Sequence, residues 1–265
     1  MPRSTAVAAL ALVLTVLLGV APALAQAPKA SAPKPSALPA QAPYAPVAVT
    51  ISGVPDDPNM AAFRNELTAV VKGRVFADLA RLVVQRGFFW DRDFGGGFDP
   101  KKSGAENLAA AIGLEHGRGA GWNRLAWLAA EAAGGKLGAR PGIVCAPARP
   151  QFNEFDFDRL MQTTKSDAFA WTYPRAAGAE LRAASRPNAP VIEKLGLHLV
   201  RVLGYEAKDD DPDATRTAWA RVVAPSGKVG FVAPALLLSP YAERLCYAKD
   251  VTGRWRIAGY IGGGD

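Results

Sequence analysis

The chain has 265 residues, 49% apolar and 21% charged, a composition that belongs to a globular protein of one or two domains and excludes a disordered one. Its 26 Gly and 21 Pro make it loop-rich and exclude a plain helical bundle or coiled coil. The net charge of +7 is interleaved with acidic residues along the chain, so no clustered basic face marks a nucleic-acid binder. Two Cys and two His, scattered, do not make a zinc site.

Residues 1–25 read as a secretory signal. Arg3 supplies the positive start, Ala6 to Val20 form an apolar stretch broken only by Thr15 and Gly19, and Ala23-Leu24-Ala25 is a small-x-small cleavage pattern. The expected cut lies between Ala25 and Gln26. No Cys follows the apolar stretch, which excludes a lipoprotein anchor. The stretch is shorter than the ~20 residues of a spanning helix, the alternative being an uncleaved anchor. No later segment is long and apolar enough to span, so no stable membrane span is expected after cleavage. Residues 26–46 are dominated by Pro and Ala and predict an extended polyproline-type linker.

Residues 48–175 predict a helix-rich α+β domain. Val47 to Ile51 alternate toward a short strand. Asp57-Pro58 can cap and open a helix that carries Met60, Phe63, Leu67, Val70 and Val71. Gly73 interrupts it, and Phe76, Leu79, Leu82 and Val83 resume the helical stripe. Ser103-x-x-Glu106 is a capping box for a helix through about Ile112. Trp122, Leu125, Leu128, Ala129 and Ala132 mark a further helix, stopped by Gly134-Gly135. Ile143 to Ala146 predicts a buried strand. Phe152, Phe155 and Phe157 alternate in part with polar residues, and Ala168 to Tyr173 reads as extended.

The segment from Trp90 to Asp99 places Asp91, Asp93 and Asp99 around a glycine turn. Such oxygens could hold a hard cation or serve acid–base hydrolysis of a glycan. The EF-hand pattern fails here. The third reading is a turn whose aspartates cap backbone amides while the aromatics pack.

From Ala179 the pattern changes. Strands are predicted at Glu180 to Arg182, Val191 to Leu195, Leu197 to Leu203, Trp219 to Val223 and Val229 to Val232, and Ala207 to Ala214 form an acidic turn. Five short strands with tight turns over 178–240 specify a small barrel. The ordered set Leu181-Arg182, Pro187, Val191-Ile192, Leu195, Val200 to Leu203, Trp219 to Val222, Gly227 and Gly230 to Val232 resembles the bacterial Src-homology-3-like (SH3b) family. The whole chain is similar to exported bacterial proteins that carry such a domain behind an uncharacterised one. The resemblance implies binding of cell-wall peptides or envelope proteins. It places Trp219 at the groove tryptophan of the related eukaryotic domains, and Leu236 where their groove tyrosine stands.

Beyond the barrel, residues 241–265 predict a β-hairpin and a Gly-rich tail. Arg244 to Lys249 and Arg254 to Ile261 flank the turn Asp250-Val251-Thr252-Gly253. Leu245, Tyr247, Trp255, Ile257 and Ile261 are expected on one buried face. An exported chain with an even cysteine count predicts a Cys145–Cys246 disulfide, the alternative being two separately buried thiols.

The expected fold is therefore α+β: a helix-rich N-terminal α+β domain, a small SH3-like β-barrel and an extra C-terminal β-hairpin. A papain-like reading would need Cys145 with His198, which lies in a barrel strand. No hydrolase elbow, phosphate loop or dinucleotide fingerprint is present. The expectation is a non-catalytic periplasmic or secreted adaptor, without cofactor or metal, that binds a peptide in peptidoglycan or on an envelope protein through its SH3-like domain. Its candidate ligand-binding residues are Tyr205, Trp219, Phe231 and Tyr241. The alternative is a cell-wall hydrolase or metal- or ligand-binding enzyme using Asp91, Asp93 and Asp99.

Overall fold

Local sequence signals set the starts of the helices at Pro58, Gly104 and Glu154 in the computed structural model, which describes residues 38–54, 57–92, 97–114, 119–131, 134–207 and 214–262. The export segment, the first part of the linker, Asp93 and residues 263–265 of the tail lie outside the described residues. Helix α1 (Pro58–Gly73) opens on extended Asp57, whose carboxylate accepts the Asn59 N–H, with proline in its first turn. It buries Met60, Phe63, Leu67 and Val71. Helix α2 (Phe76–Leu82) buries Leu79 and Leu82. Helix α3 (Gly104–Ile112) starts on the expected capping box, in which Glu106 accepts the Ser103 N–H at 2.7 Å. Helix α4 (Ala120–Ala130) buries Leu125, Leu128 and Ala129.

The first strands are β1 (Thr50–Ile51), β2 (Phe89–Asp91), β3 (Gly135–Lys136), β4 (Val144–Ala146) and β5 (Pro150–Gln151). Helix α5 (Glu154–Thr164) follows them. The partial alternation of Phe152, Phe155 and Phe157 is therefore not a strand. Asn153 caps the helix by accepting the Asp156 N–H, Phe157 and Leu160 turn inward three residues apart, and Phe155 is left 83% exposed. Of the extended stretch expected at Ala168 to Tyr173, Ala168–Ala170 forms a 3-10 turn and only the remainder enters a strand, β6 (Trp171–Pro174).

Strands β7 (Ala179–Arg182), β8 (Val191–Leu195), β9 (Val200–Glu206), β10 (Trp219–Val223) and β11 (Val229–Val232) match the five expected over 178–240. A single helical turn, α6 (Ala214–Thr217), precedes β10, and β12 (Leu237–Leu238) follows β11. These strands do not close on themselves. They form one seven-stranded sheet in the order β12-β6-β9-β10-β11-β7-β8, with no closed barrel among the described residues. The reason is the β9 edge, which is taken by β6 through Trp171↔Arg201 and Thr172↔Val200. Strand β12 then pairs with β6 in turn. A strand read with the first region thus belongs to this sheet. At Gly230 a Cβ would lie 2.6 Å from the Arg182 carbonyl and 2.9 Å from Leu181 and Ile192, so glycine is what lets β11 approach β7 and β8.

The expected hairpin is β13 (Arg244–Lys249) and β14 (Trp255–Ile261). It forms the middle of a five-stranded sheet ordered β2-β14-β13-β4-β3, where β14 runs parallel to β2 and β13 antiparallel to β4. Helices α1 to α4 pack on one face against Leu245, Tyr247, Ile257 and Tyr260. Each fully buried Leu in this cluster contributes about 1.5–3 kcal/mol. Ile261 was expected on that face and lies on the other, with Phe89, Cys145 and Cys246. Cys246 pairs with Gly259 but Tyr247 with Ile257, so Ala258 is the extra residue of a bulge. One extra residue reverses the alternation beyond it.

Part of the Pro/Ala-rich linker is docked. Over Leu38–Pro46 the chain lies along the β10–β11 turn, where the Gln41 N–H donates to the Gly227 carbonyl at 2.8 Å and the Tyr44 N–H to the Pro225 carbonyl at 3.0 Å. The Tyr44 hydroxyl donates to the Val223 carbonyl at 2.8 Å, and its ring meets Trp171 edge-on at 5.3 Å. Gly227 sits at φ +81, and a Cβ there would come 2.3 Å from the Gln41 carbonyl oxygen. Residues Pro35–Asp265 form one compact unit.

Candidate functional site

The two-stranded β1–β5 sheet, the end of β3 with the loop after it, the start of β13 and α5 leave a cleft of about 1020 Å³. One wall is the first two turns of α5, bearing Glu154 and Asp158. Another is the loop that follows β3, with Lys136 at its start. Arg149, just before β5, and Arg244, the first residue of β13, complete the charged lining. Tyr241 stands at the cleft from the turn between β12 and β13, and its ring rests on Phe169 at 5.5 Å. Phe169 is 68% exposed, so the pair offers an apolar surface that water covers poorly.

The electrostatics of the cleft centre on Arg244. Arg244 is half-buried and Arg149 exposed. Neither guanidinium has a hydrogen bond or ion pair with a described residue. Burial lowers the Arg244 pKa, and the Arg149 charge lowers it further, while Asp91 and Tyr173 act in the opposite sense. Asp91 is itself engaged, by Arg140 at 3.2 Å. The Arg244 charge also reaches the Tyr173 phenol, whose pKa is pushed well up, first by burial and then by Glu131, against the pull of Arg175 and Arg244.

A second charged pair, Glu131 and Arg175, is bidentate, with both contacts at 2.7 Å and the Glu131 side chain 7% exposed. The two oxygens and two nitrogens satisfy one another in the fork geometry that suits Arg. The buried hydroxyls of Tyr173 and Tyr247 have no hydrogen-bond partner among the described residues. Both phenols are held protonated by burial, so they can donate but not act as bases near neutral pH. The arrangement suits binding of a charged group beside an apolar one.

The residues expected to bind ligand are divided among different places. Trp219 and Phe231 share a face of the seven-stranded sheet, because Phe231 lies opposite Arg221, two residues beyond Trp219. Phe231 is buried at 7% exposure. Tyr205 lies opposite Ala220 and so on the other face. Tyr241 alone of the four lines the cleft. His198 is half-buried beside Ala48, with its pKa lowered by burial against the opposing charge of Glu193.

Of the three aspartates, Asp91 pairs with Arg140 and Asp99 caps a turn. The Asp99 carboxylate accepts the Lys101 N–H at 2.9 Å, and buried Asn107 both accepts the Asp99 N–H and donates to its carbonyl. Asp93 lies outside the described residues. No group of three His, Cys, Asp or Glu among the described residues is placed to hold a metal ion. Cys145 and Cys246 are joined in a disulfide, which removes Cys145 as a nucleophile and fits an exported protein. No helix among the described residues is long and apolar enough to cross a membrane.

Sequence reading did not find Arg149, Arg244, Glu154, Asp158 or Phe169. None stands in a motif; the pairing of β13 with β4 and the placing of α5 bring the first four to one cleft, which Phe169 adjoins through its contact with Tyr241. No family model, curated protein or solved structure matches the chain.

Proposed function

We propose that this protein is an exported, non-catalytic binding or adaptor protein of the cell envelope. Its ligand is a peptide, in peptidoglycan or on an envelope protein, seated in the cleft beside Tyr241. The observation that carries this reading is the cleft itself: cationic and anionic side chains face one space beside an exposed aromatic pair. A peptide offers that mixture of charge and apolar surface. The signal-like start and the disulfide support export to an oxidising compartment such as the periplasm. The sequence likeness of β7 to β11 to bacterial SH3-like domains supports a binding role for the chain, while the cleft itself is lined outside those strands.

The test is co-sedimentation of the purified mature protein with isolated peptidoglycan, and capture of envelope proteins by the same material. Retention that falls in Tyr241→Ala and Phe169→Ala, with no release of wall fragments, supports the reading. Turnover of the peptidoglycan that is lost in Asp91→Asn overturns it in favour of a hydrolase.

A further inference from the structure

We infer that Arg149 and Arg244 together take a free carboxylate of the bound peptide, deepening the proposed function on which this inference rests. Two guanidinium groups line one cleft, and neither makes a hydrogen bond or ion pair with a described residue. A half-buried cation without a counter-ion is costly, and a second cation beside it adds repulsion. One carboxylate placed between the two relieves both. The planar fork of Arg matches the two oxygens of a carboxylate, which gives the contact direction as well as strength.

The lowered pKa of Arg244 agrees with this geometry, since burial and Arg149 both press on its charge. The acid that acts on it from within the protein, Asp91, is in a salt bridge with Arg140 at 3.2 Å.

The rest of the lining sets the class of anion. Glu154 and Asp158 stand on the α5 wall, exposed and without an ion pair to a described residue. They repel a polyanion, so the cleft favours a single carboxylate, as at the end of a peptide chain, over a phosphate-rich polymer. The aromatic pair Tyr241–Phe169 packs the side chain next to that end. A carboxylate of this kind occurs at the end of a wall stem peptide and at the C-terminus of a protein.

Calorimetric titration of the mature protein decides the matter with three soluble probes: a wall-derived tetrapeptide with a free terminal carboxylate, the same peptide as its C-terminal amide, and a linear L-peptide with a free C-terminus. Amidation is expected to weaken binding by about tenfold or more, the loss of charge-assisted hydrogen bonds. Arg149→Gln and Arg244→Gln should each weaken the carboxylate form and leave the amide unchanged. Arg149 is exposed, so Arg149→Gln keeps the test valid should Arg244→Gln unfold. Tighter binding of the tetrapeptide than of the L-peptide assigns the wall as the source, and the reverse assigns a protein terminus. Equal binding of acid and amide by a protein that still sediments with peptidoglycan overturns this inference alone. Absence of binding to every probe, to peptidoglycan and to envelope proteins overturns the proposed function with it.

Discussion

Opening the Cys145–Cys246 bond should cost a large part of the stability of this fold. The two residues face each other across β4 and β13 and are 101 positions apart in sequence. A cross-link over a loop of that size lowers the entropy of the unfolded chain by about 2.1 + 1.5R ln n cal/mol/K, roughly 4.7 kcal/mol at 25 °C. Domains are stable by about 5–15 kcal/mol, so the variant should unfold at much lower denaturant. Urea unfolding of the mature protein, followed by tryptophan fluorescence, measures the change for Cys145→Ala, Cys246→Ala and the double variant. Each single variant opens the same loop, so each should lose nearly what the double variant loses, about 3–5 kcal/mol. The slope of unfolding should also rise, because an uncrosslinked unfolded chain exposes more surface. A loss below about 1 kcal/mol in the double variant, with an unchanged slope, would refute the loop-entropy reasoning.

Glu131→Ala leaves the Arg175 guanidinium without its bidentate partner at a site where Glu131 is 7% exposed. The expected loss is about 3–5 kcal/mol, and replacing both residues by apolar ones of similar volume should restore much of it in the same unfolding assay. Tyr44→Phe removes the hydroxyl bonded to the Val223 carbonyl and should cost about 0.5–1.5 kcal/mol. Protease cleavage within Leu38–Pro46 should quicken in that variant. The Asp250 carboxyl is held down to about 2, first by the Thr252 hydroxyl and then by the Arg254 and Thr252 amides and the Arg256 charge. Its folded pKa lies below the unfolded value, so its contribution is present above about pH 4 and is lost as pH falls toward 2. An NMR titration of this side chain with a midpoint near 4 would contradict the turn geometry.

What the sequence determined by itself was local. Asp57-Pro58, Ser103-x-x-Glu106 and the Asp250–Gly253 turn act through bonds to residues a few positions away, so each can be recognised without knowing the rest of the fold. The helical stripes of α1 to α4 and the alternation of β7 to β11 are legible for the same reason. Of the candidate site, Tyr241 was legible as one of four aromatic ligand-binding candidates, and outside it the cysteines as an even pair in an exported chain. Tertiary structure decided where these pieces meet. Trp171–Pro174 looks like the end of the first region until β9 offers it an edge. Ala258 looks like any strand residue until pairing with β13 makes it the bulge that turns Ile261 to the other face. Phe155 and Phe157 satisfy a strand pattern and a helix pattern alike, and the Asn153 cap with the buried side of α5 selects the helix. Arg149 and Arg244 come to one cleft because β13 pairs with β4, bringing Arg244 near the chain that leads into β5. Such pairings join residues far apart in the chain, and their free energy comes from burial and hydrogen bonds that no short window of sequence contains.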